Sequence, residues 1–178
     1  YRIMTSRSEY RLLHRQDNAD QRLTHIGARV GLVPPERLKA VEEKYDMVRR
    51  EMNRLESCGV PASAALNAML AQRDSAPVAN SARLADLLRR PQVSYADIAP
   101  FDPDRPALPE AVTQEVEIQV KYAGYLQRQL KQVEDFRKEE SRLLPAHIDY
   151  ESIAGLRLEA RQKLSQIRPM SIGQASRI

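Results

Sequence analysis

Residues 110–144, EAVTQEVEIQVKYAGYLQRQLKQVEDFRKEESRLL, are the stretch that decides the fold. Apolar side chains recur there at steps of three and four residues, at Val112, Val116, Val120, Ala123, Leu126, Leu130 and Val133. This spacing places them on one face of an α-helix, and the mixed charges between them are typical of a solvated face. The stretch therefore predicts a long amphipathic helix. Gly124 inside it predicts the close approach of another backbone, because glycine is otherwise costly in a helix.

A second stripe of the same kind occupies residues 36–57. Its members are Leu38, Val41, Tyr45, Val48, Met52 and Leu55, again at steps of three and four. The simplest arrangement packs the two stripes on each other as an antiparallel pair. Residues that favour helices also dominate the composition. The predicted fold class is therefore all-α: a multi-helix domain with long antiparallel helices and a short extended N-terminal segment.

Shorter segments complete the predicted order. Asp17 and Asn18 are typical caps at the start of a helix, and Gly31 is a typical residue just past its end. Residues 62–100 predict small helices, and residues 101–109, with three prolines, predict a linker or a tight loop. Residues 156–167 predict another helix, and Ser171 predicts the cap of a last one. We therefore expect a helical subdomain over 34–100, a linker over 101–109, and a long helix with a truncated terminal subdomain over 110–178.

Composition narrows the classes of function. The net charge of +4 and the pI of about 9.3 permit a nucleic-acid partner without establishing one. A single cysteine excludes an internal disulfide, and three scattered histidines predict no metal site. The sequence has neither a signal peptide nor an apolar run near the roughly 20 residues that span a bilayer, so we predict no membrane partner and a cytoplasmic location. With no glycine-rich phosphate loop or hydrolase motif, the sequence predicts no catalytic or cofactor-binding residue.

The densest basic stretch is residues 1–15, YRIMTSRSEYRLLHR. Its arginines are Arg2, Arg7, Arg11 and Arg15, and Tyr1 and Tyr10 lie among them. Arginine pairs with phosphate through planar, bidentate hydrogen bonds, and tyrosine stacks on unpaired bases. The spacing fits both a helix face and a short strand, and it leaves RNA contact and a charged edge strand open as alternatives.

Longer blocks of the sequence resemble one family. In chain order they are YRIMTSRSEYRLLHRQDNADQRLTHIGARVGLV, LLRRPQVSY, VEIQVKYAGYLQRQ, LLPAHIDYESIAGLRLEARQKL and RPMSIGQASRI. Together they resemble the bacterial tRNA uridine 5-carboxymethylaminomethyl modification enzymes, the glucose-inhibited division protein A family, over essentially the whole chain. The first block resembles the part that follows the family's flavin domain, so residues 1–33 are expected to border that domain in a longer protein.

The resemblance implies a function for the parent protein and a narrower one for this chain. The parent is expected to be a homodimer that uses FAD and NADH and acts with a GTPase on the wobble uridine of tRNA. This chain is expected to be its non-catalytic helical region, which binds tRNA and the GTPase. The candidate tRNA-binding residues are Arg2, Arg7, Arg11, Arg15 and Tyr10. The candidate partner-binding residues are Tyr150, Leu156, Leu164, Arg168 and Ile172.

Two alternatives stay open. The block of residues 1–33 can pack on the preceding flavin domain instead of on tRNA, or do both. The whole chain can also be a purely structural helical domain for protein–protein interaction, without an RNA site of its own. The stripes at 36–57 and 112–133 are the observation that favours this second alternative.

Overall fold

The computed structural model describes residues 10–178, and the fold in this range is helical. The helices are α1 (Ala19–Arg29), α2 (Pro35–Ser57), α3 (Ala64–Gln72), α4 (Leu84–Leu88), α5 (Glu110–Ser141), α6 (Leu158–Ile167) and α7 (Ile172–Ala175). Short 3₁₀ turns occupy Arg11–Leu13 and Ala99–Phe101. Two short strands, β1 (Gly59–Val60) and β2 (Ala82–Arg83), pair antiparallel. The all-α prediction is confirmed.

The chain divides inside α5 into two compact units, Tyr1–Tyr125 and Leu126–Ile178. We call them the amino-terminal and the carboxy-terminal unit. The proline-rich residues 101–109 therefore do not separate the units. They form a tight loop of the amino-terminal unit, because Asp102 is buried and Phe101 and Leu108 pack against the core.

The core of the amino-terminal unit draws on both predicted stripes. Val48 and Leu55 come from α2, and Val116 and Val120 come from α5. Two shorter helices and the turn after them fill the rest of this core, through Leu66, Leu70, Leu84, Ala85, Leu87, Leu88, Val93, Tyr95 and Ile98. The core is therefore built by four helices and is not a two-helix seam. Along α5 burial ends at Val120, and further along the stripe Leu130 is 54% exposed.

A buried charge network joins α2 to the loop after Phe101. Arg54 donates hydrogen bonds of 2.8 Å to Glu51 and 2.9 Å to Asp102, both of which are buried. These two carboxylates raise the pKa of Arg54. The hydroxyl of Tyr95 donates to Glu51 at 2.8 Å, and burial followed by that carboxylate raises the pKa of Tyr95 to about 12. Because a buried charge is costly without its partner, this network fixes the loop on α2.

The sequence predicted the carboxy-terminal end of α1 more accurately than its amino-terminal end. Gly31 follows the helix at φ 76°, and the amide of the next residue, Leu32, donates to Gly27 O at 2.8 Å. This pattern is a Schellman motif, so the predicted glycine cap is confirmed. At the start of α1, Asn18 stands at the predicted cap position, but the predicted hydrogen bond from its side chain is absent. The Asn18 side chain makes no cap hydrogen bond there and instead donates to Leu13 O and accepts from Arg22.

In the carboxy-terminal unit, the last residues of the chain fold back on the end of α5. The amide of Leu144 donates to Met170 O at 2.9 Å, and the amide of Ile172 donates to Arg142 O at 3.0 Å. Ser171 caps α7 as predicted, since its hydroxyl accepts from the Gln174 amide at 3.1 Å. Tyr150 and Leu164 are the buried apolar side chains of this unit.

Gly173 and Gly124 differ in the space that surrounds them. A Cβ at Gly173 would lie 2.9 Å from the backbone nitrogen of Glu140, so glycine permits this close packing. A Cβ at Gly124 would meet nothing within 4 Å among the described residues. The prediction that Gly124 marks another backbone is therefore wrong, because no other segment of the described chain covers that turn of α5.

Candidate nucleic-acid interface

The described part of the basic stretch, residues 10–15, is a compact turn, and the rest of the predicted extended segment lies outside the described residues. Tyr10 has a left-handed backbone, with φ 53°, and begins the 3₁₀ turn Arg11–Leu13. Residues 10–15 therefore do not form a strand. Arg11 is exposed and Tyr10 is half-buried. Arg2 and Arg7 lie outside the described residues.

Arg15 fastens this turn to the long helix. Its guanidinium donates to Asp17 at 2.9 and 3.0 Å and to Leu12 O at 2.6 Å. It also lies over the ring of Tyr122 in α5, 5.1 Å from the ring centroid. The Arg15 side chain is only 13% exposed, and the carboxylate of Asp17 balances its charge. The arrangement therefore suits Arg15 better for positioning the turn than for binding phosphate.

Two exposed tyrosines that were not among the predicted site residues lie on α5, and the first of them, Tyr122, contacts Arg15. Tyr122 is 38% exposed and Tyr125 is 57% exposed, and their ring centroids lie 6.4 Å apart at an interplanar angle of 56°. Gly124 stands between them in sequence. The available signal was the pair of aromatic residues three positions apart beside the apolar stripe, around a helical glycine. We call Tyr122, Gly124 and Tyr125 the tyrosine platform.

A half-buried cluster joins helix α1 to α2. Asp20 accepts from the Tyr45 hydroxyl at 2.5 Å and from the Lys44 ammonium at 3.0 Å. Burial acts to raise the pKa of Asp20, but the hydrogen bonds from Tyr45 and Lys44 outweigh it and lower that pKa. Burial and then Asp20 raise the pKa of the Tyr45 hydroxyl.

The apolar side of α1 faces away from the unit. Leu23 and Ile26 of α1 and the capping residue Val30 are exposed, and so is Leu32 just after the cap glycine. Their exposures lie between 47% and 81%. Thr24 is the buried residue of this helix. A helix that turns its apolar stripe outward has a surface suited to a further part of the protein.

The candidate partner-binding residues divide into two groups in the carboxy-terminal unit. Tyr150 and Leu164 are each 8% exposed, so they stabilise this unit and offer little surface to a partner. Arg168 is exposed in a left-handed backbone conformation, with φ 48°, and Leu156 and Ile172 are half-buried. The strongly exposed apolar residues of the unit are others, namely Leu143, Leu158, Ile167 and Met170.

A cavity of about 430 Å³ opens beside these exposed residues. Leu143, Leu144, Tyr150, Arg168 and Met170 line it, together with Pro145, Ala146 and Pro169. Its walls are apolar except for Arg168 and the tyrosine hydroxyl. The shape and lining fit an apolar side chain of another molecule.

The described residues contain neither a candidate metal site nor a candidate membrane-spanning helix. Within residues 10–178, no three His, Cys, Asp or Glu side chains are grouped so as to hold a metal ion. No helix in that range combines the length and the apolar character needed to cross a membrane.

Comparison with known proteins identifies the family. The family model of the tRNA modifying enzyme MnmG/GidA C-terminal helical domain matches residues 35–130, and that of the MnmG/GidA C-terminal helical bundle matches residues 132–178. The chain belongs to the MnmG/GidA family. The division between the two family models falls close to the division between the two units inside α5.

Relatives in the MnmG/GidA family are named tRNA uridine 5-carboxymethylaminomethyl modification enzyme MnmG. The one from Caldicellulosiruptor saccharolyticus is 51% identical and the one from Lachnoclostridium phytofermentans is 48% identical, each over all 178 residues. The chain spans 28% of the length of either relative. A solved structure of GidA from Aquifex aeolicus matches the whole chain with a TM-score of 0.65 at 36% identity, over 27% of that chain. The resemblance stated from the sequence is confirmed.

Proposed function

We propose that this chain is the helical region with which a tRNA-modifying enzyme holds its tRNA and a GTPase partner. The reaction that the family resemblance implies is formation of 5-carboxymethylaminomethyluridine at the wobble position of tRNA. In this proposal the chain itself is non-catalytic. The parent protein is a cytoplasmic homodimer whose chemistry uses FAD and NADH bound outside the chain.

The described residues do not fit a flavin dinucleotide. Its diphosphate needs several backbone amides at a glycine-rich loop before a helix. The six glycines of the chain stand apart from one another, and Gly27 and Gly173 serve close packing against Val33 and Glu140. We therefore derive no step through FAD or NADH in this chain.

One observation carries the proposal of tRNA binding. Arg15 anchors the basic turn to α5 next to the exposed Tyr122. Arg11 belongs to the same turn, four residues before Arg15 in the sequence. An exposed arginine on an anchored turn suits a phosphate, and exposed rings suit unpaired bases. We propose Arg11 and Tyr10 as tRNA contacts, with Arg2 and Arg7 of the same block, and assign Arg15 mainly to positioning.

The experiment is a salt series of tRNA affinity. Binding driven by phosphate contacts weakens steeply as salt rises, and each lost contact lowers the slope by about one unit. We expect Arg11→Ala to lower the slope by about one unit. Arg89→Ala is the matched control, because Arg89 is an exposed arginine already paired with Glu56 and Asp86. If the chain shows no tRNA binding at low salt, the purely structural alternative is favoured.

A second proposed function is docking of the GTPase partner on the carboxy-terminal unit. The observation that favours it is the group of exposed apolar residues, Leu143 and Met170 among them, around the cavity of about 430 Å³. Arg168 at the rim supplies the polar contact of such a site. The five partner candidates named from the sequence remain part of this proposal, with Tyr150 and Leu164 acting from beneath the surface.

Substitution at the cavity tests the docking proposal. We expect Met170→Asp to weaken capture of the GTPase at least tenfold, because it places a charge where an apolar side chain would be buried. Leu130→Asp is the control, as Leu130 is exposed in the same unit but outside the cavity lining. Equal capture by the two variants would remove the cavity from the docking surface. A chain cut at Pro145 then shows whether any residue beyond it contributes.

A further inference from the structure

The tyrosine platform is an exposed aromatic surface that the core does not require. The α5 residues on the core side of this region are Val112, Val116 and Val120, whereas Tyr122 and Tyr125 remain 38% and 57% exposed. Exposing two aromatic rings three residues apart forgoes the free energy of burying them. Such a surface on a basic helical domain is typical of a binding site.

Arg15 contacts the Tyr122 ring of the platform and holds it in place. Arg15 lies 5.1 Å from the Tyr122 ring centroid, and Asp17 and Leu12 O fix the guanidinium by hydrogen bonds. The Tyr122 ring therefore rests on a cation that is itself anchored. The Tyr122 ring is thereby held before any ligand arrives, which reduces the ordering that binding must impose.

Gly124 leaves the helix surface beside the rings bare. Glycine destabilises a helix interior, and here no packing within the described residues requires it, since a Cβ would meet nothing within 4 Å. A bare backbone next to two rings lets a flat group lie on the helix without a methyl group beneath it. Packing among the described residues therefore gives no reason for a glycine at this position.

We propose that the tyrosine platform binds an unpaired nucleobase of RNA by stacking. This inference rests on the proposed tRNA-binding function and names the part of the RNA that α5 recognises. Stacking is tolerant of base identity because every base has an aromatic face. The neighbouring basic turn, with exposed Arg11, supplies the charge that the flanking phosphates need. The occupant is thus a single-stranded segment and not a helical stem.

The test compares two RNAs on the 178-residue chain. One is a stem–loop with an unpaired loop, and the other is a blunt duplex with the same number of phosphates. We expect Tyr125→Ala to lose about tenfold in affinity for the stem–loop and to bind the duplex unchanged. Tyr125→Phe keeps the ring and should keep the affinity. Leu32→Ala is the control, an exposed apolar residue outside the platform.

A fluorescent reporter separates direct stacking from an indirect effect. The chain has no tryptophan, so Tyr125→Trp introduces a single indole at the platform. The stem–loop should quench its fluorescence and the duplex should not. Gly124→Ala should weaken stem–loop binding while the helix remains folded.

The outcomes distinguish this inference from the proposed function. If the chain binds neither RNA at low salt, the proposed function fails and the inference fails with it. If the chain binds both RNAs and Tyr125→Ala changes neither affinity, charge alone holds the RNA and the platform is not its site. If the indole of the Tyr125→Trp variant responds to the GTPase partner but to neither RNA, the platform is a protein contact and the inference is overturned.

Discussion

The amino-terminal unit has an extensive buried core, whereas the carboxy-terminal unit buries few of its apolar side chains. In the amino-terminal unit, Leu55, Leu66, Leu70, Leu87 and Leu88 are fully buried. In the carboxy-terminal unit, the described buried apolar side chains are Tyr150 and Leu164 at 8% each, and Leu143, Leu158, Ile167 and Met170 are more than half exposed. The first unit is thus stabilised mainly by its core. The second has little apolar core, and backbone hydrogen bonds hold its last residues on the end of α5.

The largest expected effect is a matched pair of leucine truncations, one in each unit. Leu87→Ala in α4 should lower the free energy of unfolding by about 2–5 kcal/mol, because it leaves a cavity in a packed core. Leu158→Ala in α6, at 67% exposure, should change it by about 0.5 kcal/mol or less. Urea denaturation followed by circular dichroism measures both. Equal losses would mean that the two units do not differ in this way.

The next effect concerns the tail of the carboxy-terminal unit. Gly173→Ala places a Cβ 2.9 Å from the backbone nitrogen of Glu140, which cannot move without distorting α5. We expect a loss of about 1–3 kcal/mol in the local stability of residues 170–178. Hydrogen exchange of the Leu144 and Ile172 amides, which bond to Met170 O and Arg142 O, reports this loss directly. Unchanged protection of the two amides would show that the tail packs more loosely than the structure indicates.

The charge network of the amino-terminal unit predicts a loss of stability in alkali. The pKa of Tyr95 is raised from 10.0 to about 12 in the folded chain, so the folded state retains this proton while the unfolded state releases it. Stability is therefore present in full below pH 10 and falls as the pH rises from about 10 to about 12. The loss is on the order of 2–3 kcal/mol. Tyr95→Phe should flatten the fall over that pH range, and an equally steep fall would contradict the assignment to Tyr95.

The sequence predicted the helices better than it predicted their surroundings. The periodic stripes located α2 and α5, and Gly31 and Ser171 marked helix ends correctly, because these signals are local. The point along α5 at which burial stops is not a local property. Val120 and Leu130 belong to one stripe, yet α3 and α4 help to enclose only the part that ends at Val120. The same limit applies to Tyr150 and Leu164, which were predicted as partner contacts and are buried in the structure.

The candidate site could be predicted only in part for a related reason. The composition of the arginine-rich stretch predicted a nucleic-acid contact. It did not show that the Arg15 guanidinium donates hydrogen bonds to Asp17 and Leu12 O. Nor did it show that Arg15 contacts Tyr122, which is distant from it in the sequence. Tyr122 and Tyr125 lie beside the apolar stripe of α5, where periodicity marks polar and apolar faces but does not distinguish a binding surface from a solvated one.

The smallest expected effect is also the one that best separates folding from binding. Gly124→Ala should raise the free energy of unfolding by about 0.5–1 kcal/mol, because alanine favours a helix more than glycine and its Cβ meets nothing within 4 Å among the described residues. Gly173→Ala should have the opposite sign, although both substitutions add one methyl group to a helix. If Gly124→Ala stabilises the chain and also weakens stem–loop binding, the glycine is retained for a ligand at the cost of stability. If Gly124→Ala stabilises the chain and leaves stem–loop binding unchanged, this turn of α5 has no role in RNA contact. Urea denaturation and an affinity measurement on the same variant distinguish these two outcomes.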